Sequence, residues 1–113
     1  MIDKKKPLFM ISVVAEMFGI HPQTLRLYER EGFLRPTRVK RLRLYSQEDV
    51  ERIRMILRLT KEMGVNRAGV DIILRMRQRL DAMHRKMEEM MNYLENDIRK
   101  KFEEQIKKAF FEE

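Results

Sequence analysis

The sequence predicts a mainly α-helical protein, with a winged helix-turn-helix at the front and a long C-terminal dimerisation helix behind it. Three observations predict this. Ile11 to Gly32 reads as two short helices about a glycine-containing turn. Residues 1–45 hold ten Lys or Arg against four Asp or Glu, whereas residues 46–113 hold fifteen against fourteen. Nearly all of the net +7 therefore sits in the front of the chain, as in a protein with a polyanion-binding front and a nearly neutral rear. Finally, Met76, Leu80, Met83, Met87, Met90 and Leu94 step by four and three, the spacing of a coiled-coil seam.

Composition narrows the class. At 113 residues the chain is one domain, or one small domain with an extension. Without Cys there are no disulfides and no thiolate metal sites. No apolar run approaches the roughly 18 residues of a membrane span. The N-terminal stretch MIDKKKPLFMISVV is basic and then apolar, but its apolar part is short and no small-residue cleavage site follows. A cytoplasmic location is expected, with no membrane partner.

In chain order, Met1 to Pro7 is a basic lead-in expected to be mobile at its start. Leu8 to Ile11 either pairs as a strand or packs on the first helix. Ser12 is the expected N-cap of that helix, with Val13, Val14, Met17 and Phe18 on its apolar face. Gly19 stops it and Ile20 plugs the turn. Pro22 suits the first position of the second helix, where its missing N–H is not needed. Leu25 and Tyr28 lie near one face of that helix, and Gln23, Thr24, Arg26 and Arg30 turn toward another. Gly32 ends it.

Phe33 to Tyr45 changes character. Pro36 discourages helix, and Arg41, Arg43 and Tyr45 alternate with Leu42 and Leu44. Such period-two patterning predicts a small hairpin with one apolar and one basic face. Beside a helix-turn-helix this is a wing that would lie along phosphates or reach a minor groove. Its alternative is a solvated edge hairpin that uses charge to block edge pairing. Ser46 opens the next helix, with Glu48 and Asp49 on its positive end and Gly64 closing it. Val50, Ile53, Ile56, Leu57 and Thr60 are its expected buried face, with Arg52, Arg54 and Arg58 largely outside. Asn66 caps a short helix, RAGVDIILRMRQR, burying Val70, Ile73 and Leu74.

The rear reads as one long helical pattern. Its seam continues from Leu94 to Ile98, and then through Phe102, Ile106 and Phe110 in steps of four, so the strict heptad fails there. Met76, Leu80, Met83, Met87, Met90, Leu94 and Ile98 are the expected dimerisation residues, because a seam this long has nothing intramolecular to bury against. Five Met between positions 76 and 91 make an adaptable surface. Dimer packing is the expected use of that surface, and a Met-lined site for a ligand or partner is the alternative. The tail either completes the seam, folds back, or offers a docking surface. The expected organisation is thus a DNA-binding domain over 1–77 and a coiled-coil helix with an amphipathic tail over 78–113.

The second helix suits duplex DNA. Gln pairs with adenine, Arg pairs with guanine or clamps phosphates, and Thr touches a thymine methyl or a phosphate. The chain offers no nucleophile–base pair, Gly-rich phosphate loop or carboxylate dyad, and His21 and His84 are far apart. No enzyme, cofactor or metal site is therefore expected. Two other readings remain: a helical protein-interaction adaptor, and an excisionase-like architectural winged-helix protein. The charge asymmetry argues against the first, and the long seam argues against the second.

Ser12 to Pro36, SVVAEMFGIHPQTLRLYEREGFLRP, resembles the N-terminal domain of MerR-family transcription regulators, with TLRLYEREGFLRP as the family-like core. RLRLYSQEDVERI and KEMGVNRAGV follow in the family's order, so the resemblance covers roughly residues 9–80. HPQTLRLYER and GVNRAGV are most similar to the HspR-type heat-shock repressors. The resemblance implies a homodimer with an antiparallel coiled coil, binding an inverted repeat in double-stranded DNA. It also implies repression of chaperone operons with an Hsp70-type chaperone as co-repressor. By position, Gln23, Thr24 and Arg26 would meet bases or nearby phosphates, while Tyr28 and Arg30 would hold backbone. Arg41, Arg43 and Tyr45 would be wing contacts, with Arg38 and Lys40 beside them. His21 either touches phosphate or fills the turn, and Tyr28 is equally placed to be half core. The family's wing tip usually contains Gly, and TRVKRLRLY has none, which predicts a less tightly turned tip. The absence of Cys and of an added domain argues against thiolate metal sensing and a separate effector domain.

Overall fold

The structure, a computed structural model, describes residues 3–111. The first two residues of the basic lead-in and the last two of the tail lie outside the described residues. The chain divides into two compact units, Met1–Leu74 and Arg75–Glu113.

The first unit holds a three-stranded antiparallel sheet and four helices. Strand β1 (Phe9–Met10) runs directly into α1 (Ile11–Phe18), so Leu8 to Ile11 supplies a strand. That strand moves the N-cap to Met10, whose side chain makes no cap bond, and leaves Ser12 inside the helix rather than capping it. Val14 and Ala15 are buried, whereas the expected core residues Val13 and Met17 are exposed. Gly19 adopts the left-handed conformation at φ 61°. The Ile20 N–H then donates to the Ala15 carbonyl at 3.0 Å, and the Gly19 N–H to that of Glu16 at 3.1 Å. These two bonds close α1 in a Schellman turn. Helix α2 (Pro22–Arg30) follows with Pro22 in its first turn. The same device closes α2: Gly32 has φ 81°, and the Phe33 N–H donates to the Tyr28 carbonyl at 2.9 Å.

Strands β2 (Thr37–Val39) and β3 (Leu42–Tyr45) form the hairpin, with β3 central in the order β1-β3-β2. Helix α3 (Gln47–Leu57) opens on a complete capping box. The Asp49 N–H donates to Ser46 Oγ at 3.1 Å, and the Ser46 N–H donates to the Asp49 carboxylate at 2.9 Å. Its last turn widens into a π-helical segment, Arg58–Glu62. The wider turn changes the expected core spacing: Leu59 is buried, while Leu57 and Thr60 are only half-buried. The Thr60 hydroxyl donates to the Ile56 carbonyl at 2.8 Å. Arg52 also departs from expectation. It is half-buried and donates from Nε to the Phe33 carbonyl at 2.6 Å, tying α3 to the loop after α2. Asn66 caps α4 (Arg67–Met91) through a bond from the Gly69 N–H at 2.9 Å. Val70 and Leu74 complete a core shared with Leu25, Tyr28, Tyr45, Ile53 and Ile56.

The second unit contains the rest of α4 and a separate helix, α5 (Asn96–Phe110). The expected short helix after Asn66 is not short, since α4 runs 25 residues without a break. The expected continuous rear helix is instead interrupted between Met91 and Asn96. Leu94 therefore lies in a turn and Ile98 on another helix, so neither continues the α4 seam. Asn92 and Asn96, whose side chains compete for backbone hydrogen bonds, bracket the turn. The tail folds back. The His84 and Phe111 rings meet nearly perpendicular, at 84° with centroids 5.5 Å apart, and Ile106 and Arg99 share a groove with Met91. No residue of α5 is buried.

Candidate nucleic-acid interface

Helix α2 is anchored by Leu25 and Tyr28, both buried, and so presents the opposite face outward. Gln23, Leu27 and Arg30 are exposed at positions i, i+4 and i+7, and Thr24 and Arg26 flank them half-buried. His21 Nδ1 accepts the Gln23 N–H at 3.0 Å, making His21 the N-cap of α2. Of the two roles open to it, the structure shows the turn-filling one, with that nitrogen occupied. Tyr28 packs into the core: the residue is 7% exposed, and its ring centroid lies 6.2 Å from that of Phe33.

The hairpin lies beside α2. Its strands turn in two residues, Lys40 and Arg41, between the paired Val39 and Leu42. The tip is therefore tight despite having no glycine, and Lys40 takes a positive φ of 58° to close it. The period-two reading found the strand but not the orientation of its faces. Arg38 and Arg43 are directly opposed across the strands. Two like charges in that register repel. Glu29 of α2 resolves the repulsion by accepting both: Arg38 Nη2 donates to one carboxylate oxygen at 2.9 Å, and Arg43 Nε to the other at 2.7 Å. Burial pushes the Glu29 carboxyl up, but the hydrogen bonds and charges of Arg43 and Arg38 outweigh it and hold the group below its ordinary range.

This clamp turns the expected basic face back toward α2. Arg43 is largely covered, while Arg38 keeps about half its side chain exposed, at 53%. Tyr45 lies on the same face and is 0% exposed. It belongs to the core and cannot serve as a wing contact in this conformation. Burial, reinforced by the negative charge of Glu29, pushes its phenol up, so Tyr45 stays neutral. The groups the wing offers outward are Lys40 and Arg41 at the tip and the uncovered part of Arg38, beside the exposed apolar pair Val39 and Leu42.

Sequence reasoning missed Glu29, Leu27, Val39 and Leu42. Glu29 carries a signal in retrospect, as an acid in the most basic stretch of the chain. The other acid of α2's end, Glu31, pairs with Arg67 at the start of α4. The basic lead-in is also tied down. The Lys4 carbonyl accepts the Glu48 N–H at 3.0 Å, and Lys4 Nζ lies 3.6 Å from Glu51. Among the described residues no group of three or more His, Asp or Glu could hold a metal ion. Among the described residues, no helix is long and apolar enough to cross a membrane.

Residues 9–77 match the model of the MerR HTH family of regulatory proteins. The chain belongs to the MerR family. This MerR-family protein is 36% identical over 90 residues to HspR of Streptomyces coelicolor, described as a heat shock protein; the match covers 79% of the chain and 60% of HspR. It is 33% identical over 98 residues to the mercuric resistance operon regulatory protein of Bacillus cereus, covering 85% of the chain and 74% of that protein. It is 30% identical over 98 residues to the transcriptional regulator GlnR of Bacillus anthracis, covering 86% and 75%. The element order, two short helices followed by a hairpin, is consistent with a winged helix-turn-helix.

Proposed function

We propose that this MerR-family regulator is a homodimeric repressor of heat-shock or chaperone genes that reads an inverted-repeat operator. The observation that carries the DNA reading is the outward face of α2, with Gln23 and Arg30 exposed and Arg26 half-buried at its flank, beside the cationic wing tip Lys40–Arg41. Gln and Arg supply the paired donors and acceptors that distinguish base edges in a major groove. Lys40, Arg41 and Arg38 supply charge for phosphates, which gives most of the affinity and a steep dependence on salt.

The homodimer rests on the apolar stripe of α4. Met76, Leu80, Met83 and Met90 each keep about half or more of their surface exposed. Covering the exposed half of even three such side chains contributes about 2–4 kcal/mol, half of the full-burial value for each. We assign residues 1–77 to DNA and 78–113 to dimerisation through an antiparallel coiled coil. Two recognition helices then enter major grooves about one helical turn apart. The heat-shock assignment, and an Hsp70-type chaperone as co-repressor, rest on the similarity to HspR.

Selection of bound duplexes from a random pool, at two salt concentrations, tests the reading. The expected result is an inverted repeat with half-sites about 10 base pairs apart, centre to centre. Its occurrence upstream of chaperone genes supports the heat-shock assignment. Sequence-blind binding that vanishes with salt would overturn the operator reading.

A further inference from the structure

We propose that Leu27 is a base-reading residue that recognises the C5-methyl group of thymine in each half-site, an assignment that rests on the DNA reading of α2. Leu27 is 41% exposed although α2 is already anchored by Leu25 and Tyr28. It is the one large apolar side chain on the outward face of that helix. A lone exposed Leu on an ordinary surface carries no message. This one stands four residues after Gln23 and three before Arg30, between the two exposed polar side chains best suited to base edges.

The chemistry of the groove then selects the target. Guanine, adenine and cytosine present donors and acceptors along the major-groove edge, and an aliphatic side chain pressed against them leaves those groups unpaired. The thymine methyl is the apolar group in that groove, so Leu27 gains by covering it and loses elsewhere. Thr24 is the other side chain of α2 suited to a thymine methyl, or to a phosphate. It is half-buried, whereas Leu27 is exposed on the same helix. The Glu29 clamp is on another side of α2 and is untouched by a change at Leu27.

A methyl scan tests this. The full chain is titrated against the inverted repeat recovered by selection, with each thymine replaced in turn by deoxyuridine, which lacks only the methyl. At one thymine per half-site the wild type should weaken about fourfold for each methyl removed, the worth of burying one such group. Leu27→Ala should bind the unmodified repeat more weakly and show no further loss with deoxyuridine at that position. Leu27→Gln, put through the same selection, should no longer choose thymine there. A wild type indifferent to deoxyuridine at every position would overturn the assignment of Leu27 while leaving the operator reading intact. So would equal deoxyuridine losses in wild type and Leu27→Ala. Failure to recover any repeat would overturn both.

Discussion

Residues 3–74 bury thirteen apolar side chains, Val14, Leu25, Ile53, Ile56 and Val70 among them without measurable exposure, whereas residues 75–111 bury none. The front helices end in Schellman turns or open on caps, and two carboxylates of α2's end tie it to the wing and to α4. The rear helices carry local ion pairs instead: Arg77–Asp81, Lys86–Glu89 and Arg99–Glu103. Such pairs contribute a few tenths of a kcal/mol each. The front is thus a folded unit on its own account. The rear is amphipathic helix whose stability must come from whatever covers its apolar stripe.

The sharpest break in this comparison is a core truncation. Ile53→Ala should lower the unfolding free energy by roughly 2–5 kcal/mol, from lost burial plus the cavity left behind, read by chemical denaturation. Changing Met83 and Met87 together to Asp should have little effect on the front fold. It should lower the sedimentation mass to that of a monomer; a mass unchanged would show that the α4 stripe is not the dimer seam.

Glu29→Gln should loosen the wing while leaving the helices intact. It removes the charge that holds the opposed Arg38 and Arg43, a loss of about 1–3 kcal/mol from hydrogen bonds to a charged acceptor. Faster amide exchange confined to residues 37–45 is the measurement. The same clamp has a pH signature. Because the folded Glu29 carboxyl lies below its ordinary value of 4.5, its contribution is complete above that pH and is lost as the pH falls through the lowered value. Exchange at the wing of the wild type should therefore approach that of Glu29→Gln in acid. The smallest effect is a gain. Lys40→Gly should stabilise the hairpin by about 1 kcal/mol, because Lys40 holds a positive φ that glycine adopts without a steric cost. It should also remove one wing-tip charge and flatten the salt dependence of DNA binding slightly.

Much of the fold was legible because its signals are local. Gly19 and Gly32 are needed where the chain turns left-handed, Pro22 where an N–H is spare, and Ser46 and Asn66 where helix donors lack partners. The interface was legible in part. Gln23, Arg30, Lys40 and Arg41 are exposed as their residue types suggest, while Tyr28 and Tyr45 went inward. Alternation along Arg41–Tyr45 gives a period of two but not which face meets the core. That was decided by Glu29, fourteen residues before Arg43, and by the space Tyr45 fills among α1, α2 and α3.

The rear shows the same limit from the other side. Apolar residues at four-three spacing marked the helix, but the break after Met91 has no glycine or proline to announce it. By itself, then, the sequence determined the order of the front elements, most of the caps and turns that bound them, and the concentration of positive charge at the front. The tertiary structure alone decided which side chains of the wing face α2, where the core takes Leu59, and how α5 folds back. Those outcomes depend on contacts between residues far apart in the chain, and local periodicity carries no record of its partner.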